Sequence, residues 1–284
     1  MSVPSEKYDA GNFDPSSMPF VAPCNTLDIG APVRWLRKGW QDIMVAPKQS
    51  LIYGSVMMIL SYTVAFLAYK MGSFIIMVAL LSGFMFLGPV LAIGLYSISC
   101  QIQNGMKPVL GFCLREGKRH LGNEMVFAVI LLVVFLLWMR AASMVHIFFP
   151  VEANPEWSDL AVFLGIGSLI GAIFSGVIFC ASAFSLPMFM DRKVDVVTAV
   201  ITSINAVLRN KAVLLLWGFL IVFFLLLGFL TGTLLILLPL IGHATWHAYQ
   251  ETPKQQYRLV AQYCIDTGDN SSNHIHFTVH EHGK

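Results

Sequence analysis

The chain has 284 residues, of which 56% are apolar before its 22 glycines are added and only 12% are charged. Soluble domains carry about twice that share of charge, so too little remains to coat a water-facing surface, and a soluble globule is excluded. The bilayer is therefore the expected partner, and nothing in a net charge of +2 argues for nucleic acid.

Residues 1–33 hold Pro4, Pro15, Pro19, Pro23 and Pro32 among serines and acids and read as an irregular cytoplasmic leader. No cleavable signal is visible, because the first apolar run starts near Leu51. The five cysteines (Cys24, Cys100, Cys113, Cys180, Cys264) form no CxxC pair, so neither a disulfide framework nor a thiolate zinc site is expected.

Long charge-free runs follow at 49–69, 71–106, 125–139 continuing after Arg140 to Val151, 160–190 and 212–250. A crossing needs about 20 helical residues, and the first four runs supply one each. As one helix the last run would extend about 58 Å, nearly twice the hydrocarbon thickness. Two short spans near 212–229 and 232–249, turning at Gly228 or Thr231-Gly232, fit better than one long tilted helix. With a cytoplasmic amino terminus, six crossings keep 16 of the 18 Lys and Arg inside, and five would export Lys254 and Arg258. The expected fold is thus all-α, a six-helix transmembrane domain over 34–250 with a His-rich tail at 251–284 and both termini cytoplasmic, the five-helix arrangement being the alternative.

Amphipathic basic segments at 34–50, 108–124 and 192–211 precede the pairs of spans and read as helices lying in the cytoplasmic interface. In the third, Asp195 can cap the amino end. Each ends in a breaker, Ala46-Pro47-Lys48, Gly122-Asn123-Glu124 or Arg209-Asn210-Lys211. The second helix of each pair carries a proline, Pro89, Pro187 or Pro239, on its inward half. The unit is an interfacial helix plus a hairpin, used three times in parallel.

The stretches WLRKGWQDI, SLIYG, GPVLAIGLY, LLWMRAA, SLPMFMDRKVDVVTA and GHATWHAY occur in that order between about Pro32 and Tyr249. On these segments the chain resembles a bacterial family of integral membrane proteins catalogued as a domain of unknown function. The resemblance implies the bacterial inner membrane and no established activity.

Few residues invite chemistry. Arg140 is the one charge inside a span; it can contact an anion or headgroup, pair with Glu152, Glu156 or Asp159, or snorkel outward beside Trp138. His243 and His247, at i and i+4, share a helix face as two metal or haem ligands would, although Trp246 and Tyr249 favour an interfacial aromatic belt. In the tail, His274, His276, His280 and His282 stand at even offsets and could meet a metal from one side of a strand. Gly167, Gly171 and Ser175 form a small-residue rail for close helix approach, within the chain or in a homodimer. Asp191-Arg192 and Asp195 read as caps and a local ion pair.

Spans this poor in polar groups lack the relays of pumps and the nucleophile–base pairs of enzymes. The reading is a non-enzyme, an organising, assembly or interaction subunit with no cofactor. The first alternative is a small-solute or lipid transporter on parallel repeats, bending at the three prolines. The second is an oxidase-associated or metal- or haem-binding subunit using His243 and His247.

Overall fold

The structure, a computed structural model, describes residues 24–72, 80, 83, 88, 90–148, 157–191 and 194–252. The extended elements among these residues are all helices: α1 (Ala31–Val45), α2 (Pro47–Lys70), α3 (Ile93–Gln103), α4 (Leu110–Phe148), α5 (Trp157–Ser182), α6 (Ser185–Asp191), α7 (Val196–Arg209), α8 (Lys211–Thr231) and α9 (Leu234–Glu251). Among the described residues, four stretches are long and apolar enough to cross a membrane: Pro47–Lys70, Met125–Val145, Ala161–Asp191 and Lys211–Thr231. The protein is a multi-pass integral membrane protein. The expected second span, 71–106, falls largely outside the described residues, and α9 is continuously apolar only over Leu234–Ile241.

Local chemistry explains the breaks. Ala46 precedes Pro47, and the clash of a proline ring with the preceding residue's helical conformation separates α1 from α2. Asp195 caps α7 as expected, accepting from the Thr198 backbone N–H at 3.1 Å. Gly232, left-handed at φ 76°, ends α8 and turns the chain into α9. The long run at 212–250 is therefore two helices. The expected breaker at Gly122-Asn123-Glu124 is not one: α4 runs unbroken from Leu110 through the span, since glycine and asparagine only weaken a helix whereas proline disrupts it. Helical order also begins earlier than expected, at Ala31, because Pro32 sits in the first turn, where its missing N–H costs nothing.

Pro187 cannot donate to the fourth preceding carbonyl, and the chain turns at Ala183–Phe184 between α5 and α6. The Ser203 hydroxyl mends the gap. It donates to the Cys180 carbonyl at 2.7 Å and accepts from the Phe184 N–H at 3.1 Å. Pro239 lies inside α9, and the Leu235 carbonyl it leaves free faces Gly54, where an added Cβ would stand 2.5 Å from that oxygen.

Helix α9 runs antiparallel to α2: Ser50 meets His243, and Gly54 meets Pro239 further along. Helix α8 runs parallel to α2, its Trp217 against Trp35 of α1 at one end and its Phe229 against Tyr62 at the other. Burial is concentrated at the end of the bundle that carries Arg34, Arg37, Lys38, Lys48, Arg209 and Lys211, called here the basic end. There Ile93–Gln101 of α3, all of α6 and Gly242–Trp246 of α9 are buried around Trp35, Trp217 and Trp246. Further along, the spans present Ile59, Phe66, Leu136, Leu226 and Leu230 outward, as hydrocarbon requires.

Candidate functional site

The second half of α9 is the polar part of a helix that is otherwise apolar, and close backbone approach draws it into the core. A Cβ on Gly39 would lie 2.8 Å from the Ala244 nitrogen, so α1 and α9 touch main chain to main chain. His243 is thereby closed off completely, at 0% exposure.

Burial obliges its ring to find partners. His243 Nε2 lies 3.0 Å from Ser50 Oγ at the start of α2, and Nδ1 lies 2.7 Å from Ser99 Oγ in α3. Ser99 Oγ donates to Asp42 Oδ2 of α1 at 2.6 Å, and the same oxygen lies 2.9 Å from His247 Nε2. Hydrogen-bond logic orders the protons. The single Ser99 proton points to Asp42, so His243 must donate from Nδ1 to the Ser99 oxygen. A neutral His243 then keeps Nε2 bare and accepts from Ser50. One chain, Ser50–His243–Ser99–Asp42–His247, ties together α1, α2, α3 and α9. His247, its side chain 15% exposed, is where it approaches the surface.

Flanking bonds brace the same end. Tyr249 OH donates to Asp191 Oδ2 at 2.6 Å, and Trp246 Nε1 to Gln103 Oε1 at 3.1 Å. Trp35 Nε1 donates to Glu251 Oε2 at 2.8 Å. Arg34 bridges Glu251 and Asp28, and its fork of hydrogen bonds holds the Asp28 carboxyl down at about 2. The stretch before α1 is strapped down too. Asn25 N–H donates to the Thr252 carbonyl at 2.8 Å, and Asn210 accepts from Leu27 N–H at 2.8 Å while donating to the Asn25 carbonyl at 3.0 Å. The last residues of the expected irregular leader are therefore ordered.

The structure revises several expectations. His243 and His247 do share a face, but they converge on Ser99 and Asp42, and both ring nitrogens of His243 are taken by serines. Among the described residues no group of three or more His, Cys, Asp or Glu is placed to hold a metal. TWHAY is core and not an aromatic belt, with Trp246 at 1% and Tyr249 at 0% exposure. Their indole N–H and phenol O–H find protein partners, so neither needs the headgroup region. Asp191 serves Tyr249, and Arg192 lies outside the described residues. Trp138 turns inward to stack on Phe135, whereas Arg140 is exposed, so the two are not a shared anchor. Glu152, Glu156 and the tail histidines His274, His276, His280 and His282 lie outside the described residues. Among the described residues, a Cβ added at Gly167 or Gly171 would meet nothing within 4 Å, so no described helix packs on these two positions of the rail.

Sequence reasoning missed Asp42, Ser50 and Ser99. One signal was available: Trp35, Gly39 and Asp42 recur at i, i+4 and i+7, which puts the carboxylate on the buried stripe of α1.

Residues 76–191 match the model of a family described as "Predicted integral membrane protein (DUF2189)". No curated protein and no solved structure matches the chain.

Proposed function

We propose that this protein is a non-catalytic organising or assembly subunit of the bacterial inner membrane, crossing six times with both termini cytoplasmic. The observation that carries this reading is the closed hydrogen-bond chain: Ser50, His243, Ser99, Asp42 and His247 satisfy one another, which suits a brace and leaves no imidazole nitrogen of His243 for a ligand. The basic end is then a rigid platform, and the exposed spans are the surface for lipid or a partner. The Gly167–Gly171 rail, open among the described residues, supports a homodimer seam. Cations gathered at one end support the orientation.

A register match favours parallel repeats. Ala46 and Asn210 each stand between an amphipathic helix and a span, and around them buried positions correspond: Trp35 with Ala199, Gly39 with Ser203, Ile43 with Val207, Ser50 with Leu214. Parallel repeats are also the architecture on which the transporter reading rests.

Native mass spectrometry of protein purified in mild detergent separates the readings. A second copy or a partner chain, with no solute flux in proteoliposomes, is the expected result. Flux, bound haem or stoichiometric metal would overturn it.

A further inference from the structure

Helices α1 and α7 are apolar on two sides. Opposite its core face, α1 presents Val33 (69% exposed), Trp40 (47%) and Met44 (64%), with Arg37 on the same stripe at i, i+4, i+7 and i+11. Helix α7 repeats that spacing with Val197, Ile201, Ile204 and Leu208, of which Val197, Ile201 and Leu208 are exposed. The register is the same as well: Met44 stands two residues before the Ala46 break and Leu208 two before Asn210.

We infer that these twin stripes are docking surfaces for anionic phospholipid in the leaflet at the basic end. Two observations select lipid over a soluble protein. Each stripe passes within three residues into a helix long and apolar enough to span the bilayer, Pro47–Lys70 or Lys211–Thr231, so each lies at the edge of the hydrocarbon. Exposed cations stand at that junction, Lys48 beside the first stripe and Arg209 and Lys211 beside the second. An apolar face edged by Lys and Arg is the composition that settles into a headgroup layer and takes phosphate there. The two helices then act as outriggers that fix the height of the Asp42–His243 chain relative to the headgroups. The inference rests on the proposed orientation only in naming that leaflet as cytoplasmic.

The test uses full-length protein in nanodiscs of phosphatidylcholine with and without phosphatidylglycerol. Lipids with brominated acyl chains should quench the emission that Trp40→Phe removes and spare the emission that Trp35→Phe removes, since only Trp40 lies on the stripe. In graded delipidation followed by native mass spectrometry, phosphatidylglycerol should outlast phosphatidylcholine. The combined Arg37→Gln, Lys48→Gln, Lys211→Gln variant should lose that preference, by about fivefold per cation at about 1 kcal/mol for each Lys or Arg near an anionic surface. These side chains are exposed, so folding survives the changes. An unquenched Trp40 covered by a second copy or a soluble protein would overturn the inference, as would equal retention of the two lipids. Solute flux or bound haem would defeat the organising reading and leave this result untouched.

Discussion

His243 and Ser99, 144 residues apart in the chain, stand with Nδ1 and Oγ 2.7 Å from each other, and the Ser99 hydroxyl passes the contact on to Asp42. A serine with a histidine on one side and a carboxylate on the other is the pivot of the basic end.

Ser99→Ala therefore leaves His243 Nδ1 without its partner and takes from Asp42 one of its two hydrogen bonds, the other being to His247. It should cost about 1–3 kcal/mol, the penalty for leaving a buried polar group unpaired, read as a lower melting temperature in detergent. Ser55→Ala, which removes only a hydroxyl bonded to the Leu51 carbonyl on an exposed face, should stay within about 0.5 kcal/mol of wild type. Equal losses would refute the pivot.

Gly54→Ala should destabilise by about 1–3 kcal/mol, because its methyl would fall 2.5 Å from the Leu235 carbonyl and 2.7 Å from the Pro239 ring, neither of which can swing away. Gly171→Ala meets nothing within 4 Å and should melt as wild type does. If the rail is a dimer seam, the second change should still weaken the dimer seen by native mass spectrometry.

Trp35 is fully buried, edge-on to Trp217 with ring centroids 5.5 Å apart, and bonded to Glu251. Trp35→Ala should cost about 3–5 kcal/mol. Trp40→Ala, on the exposed side of the same helix, should leave the melting temperature in detergent unchanged.

The Arg34 fork lowers the Asp28 carboxyl from an ordinary 3.8 to about 2. A carboxyl depressed on folding adds stability that is complete above its unfolded value and is lost as pH falls through the folded one. Wild type and Asp28→Asn should thus differ in melting above about pH 4 and converge towards pH 2, by a small margin because both partners are exposed. A difference that widens on acidification would contradict the ion pair.

What was legible in the sequence was local. Apolar run lengths marked the four spans found among the described residues, Gly232 split the last run, Asp195 announced its cap, and the spacing of His243 and His247 put both rings on one face. What was not legible depends on partners far along the chain. TWHAY has the composition of an interfacial belt, and only the approach of α1 and α3 through Gly39 and Gly242 turns it inward. Ser50 and Ser99 look like ordinary small residues in spans until a histidine from the far end arrives between them. Gly122-Asn123-Glu124 looks like the breaks at Ala46-Pro47 and Asn210, yet it has no proline to end a helix.

The imidazole that completes the polar chain comes from the last helix, whereas Asp42, Ser50 and Ser99 come from the first hundred residues. During synthesis, a ribosome that has released only the amino-terminal half leaves a carboxylate and two hydroxyls at the membrane edge with no histidine to close the circuit. Final locking of α1, α2 and α3 must wait for Gly232 to turn the chain back. Truncations that remove α9 should accordingly be degraded as a whole rather than survive as shorter bundles.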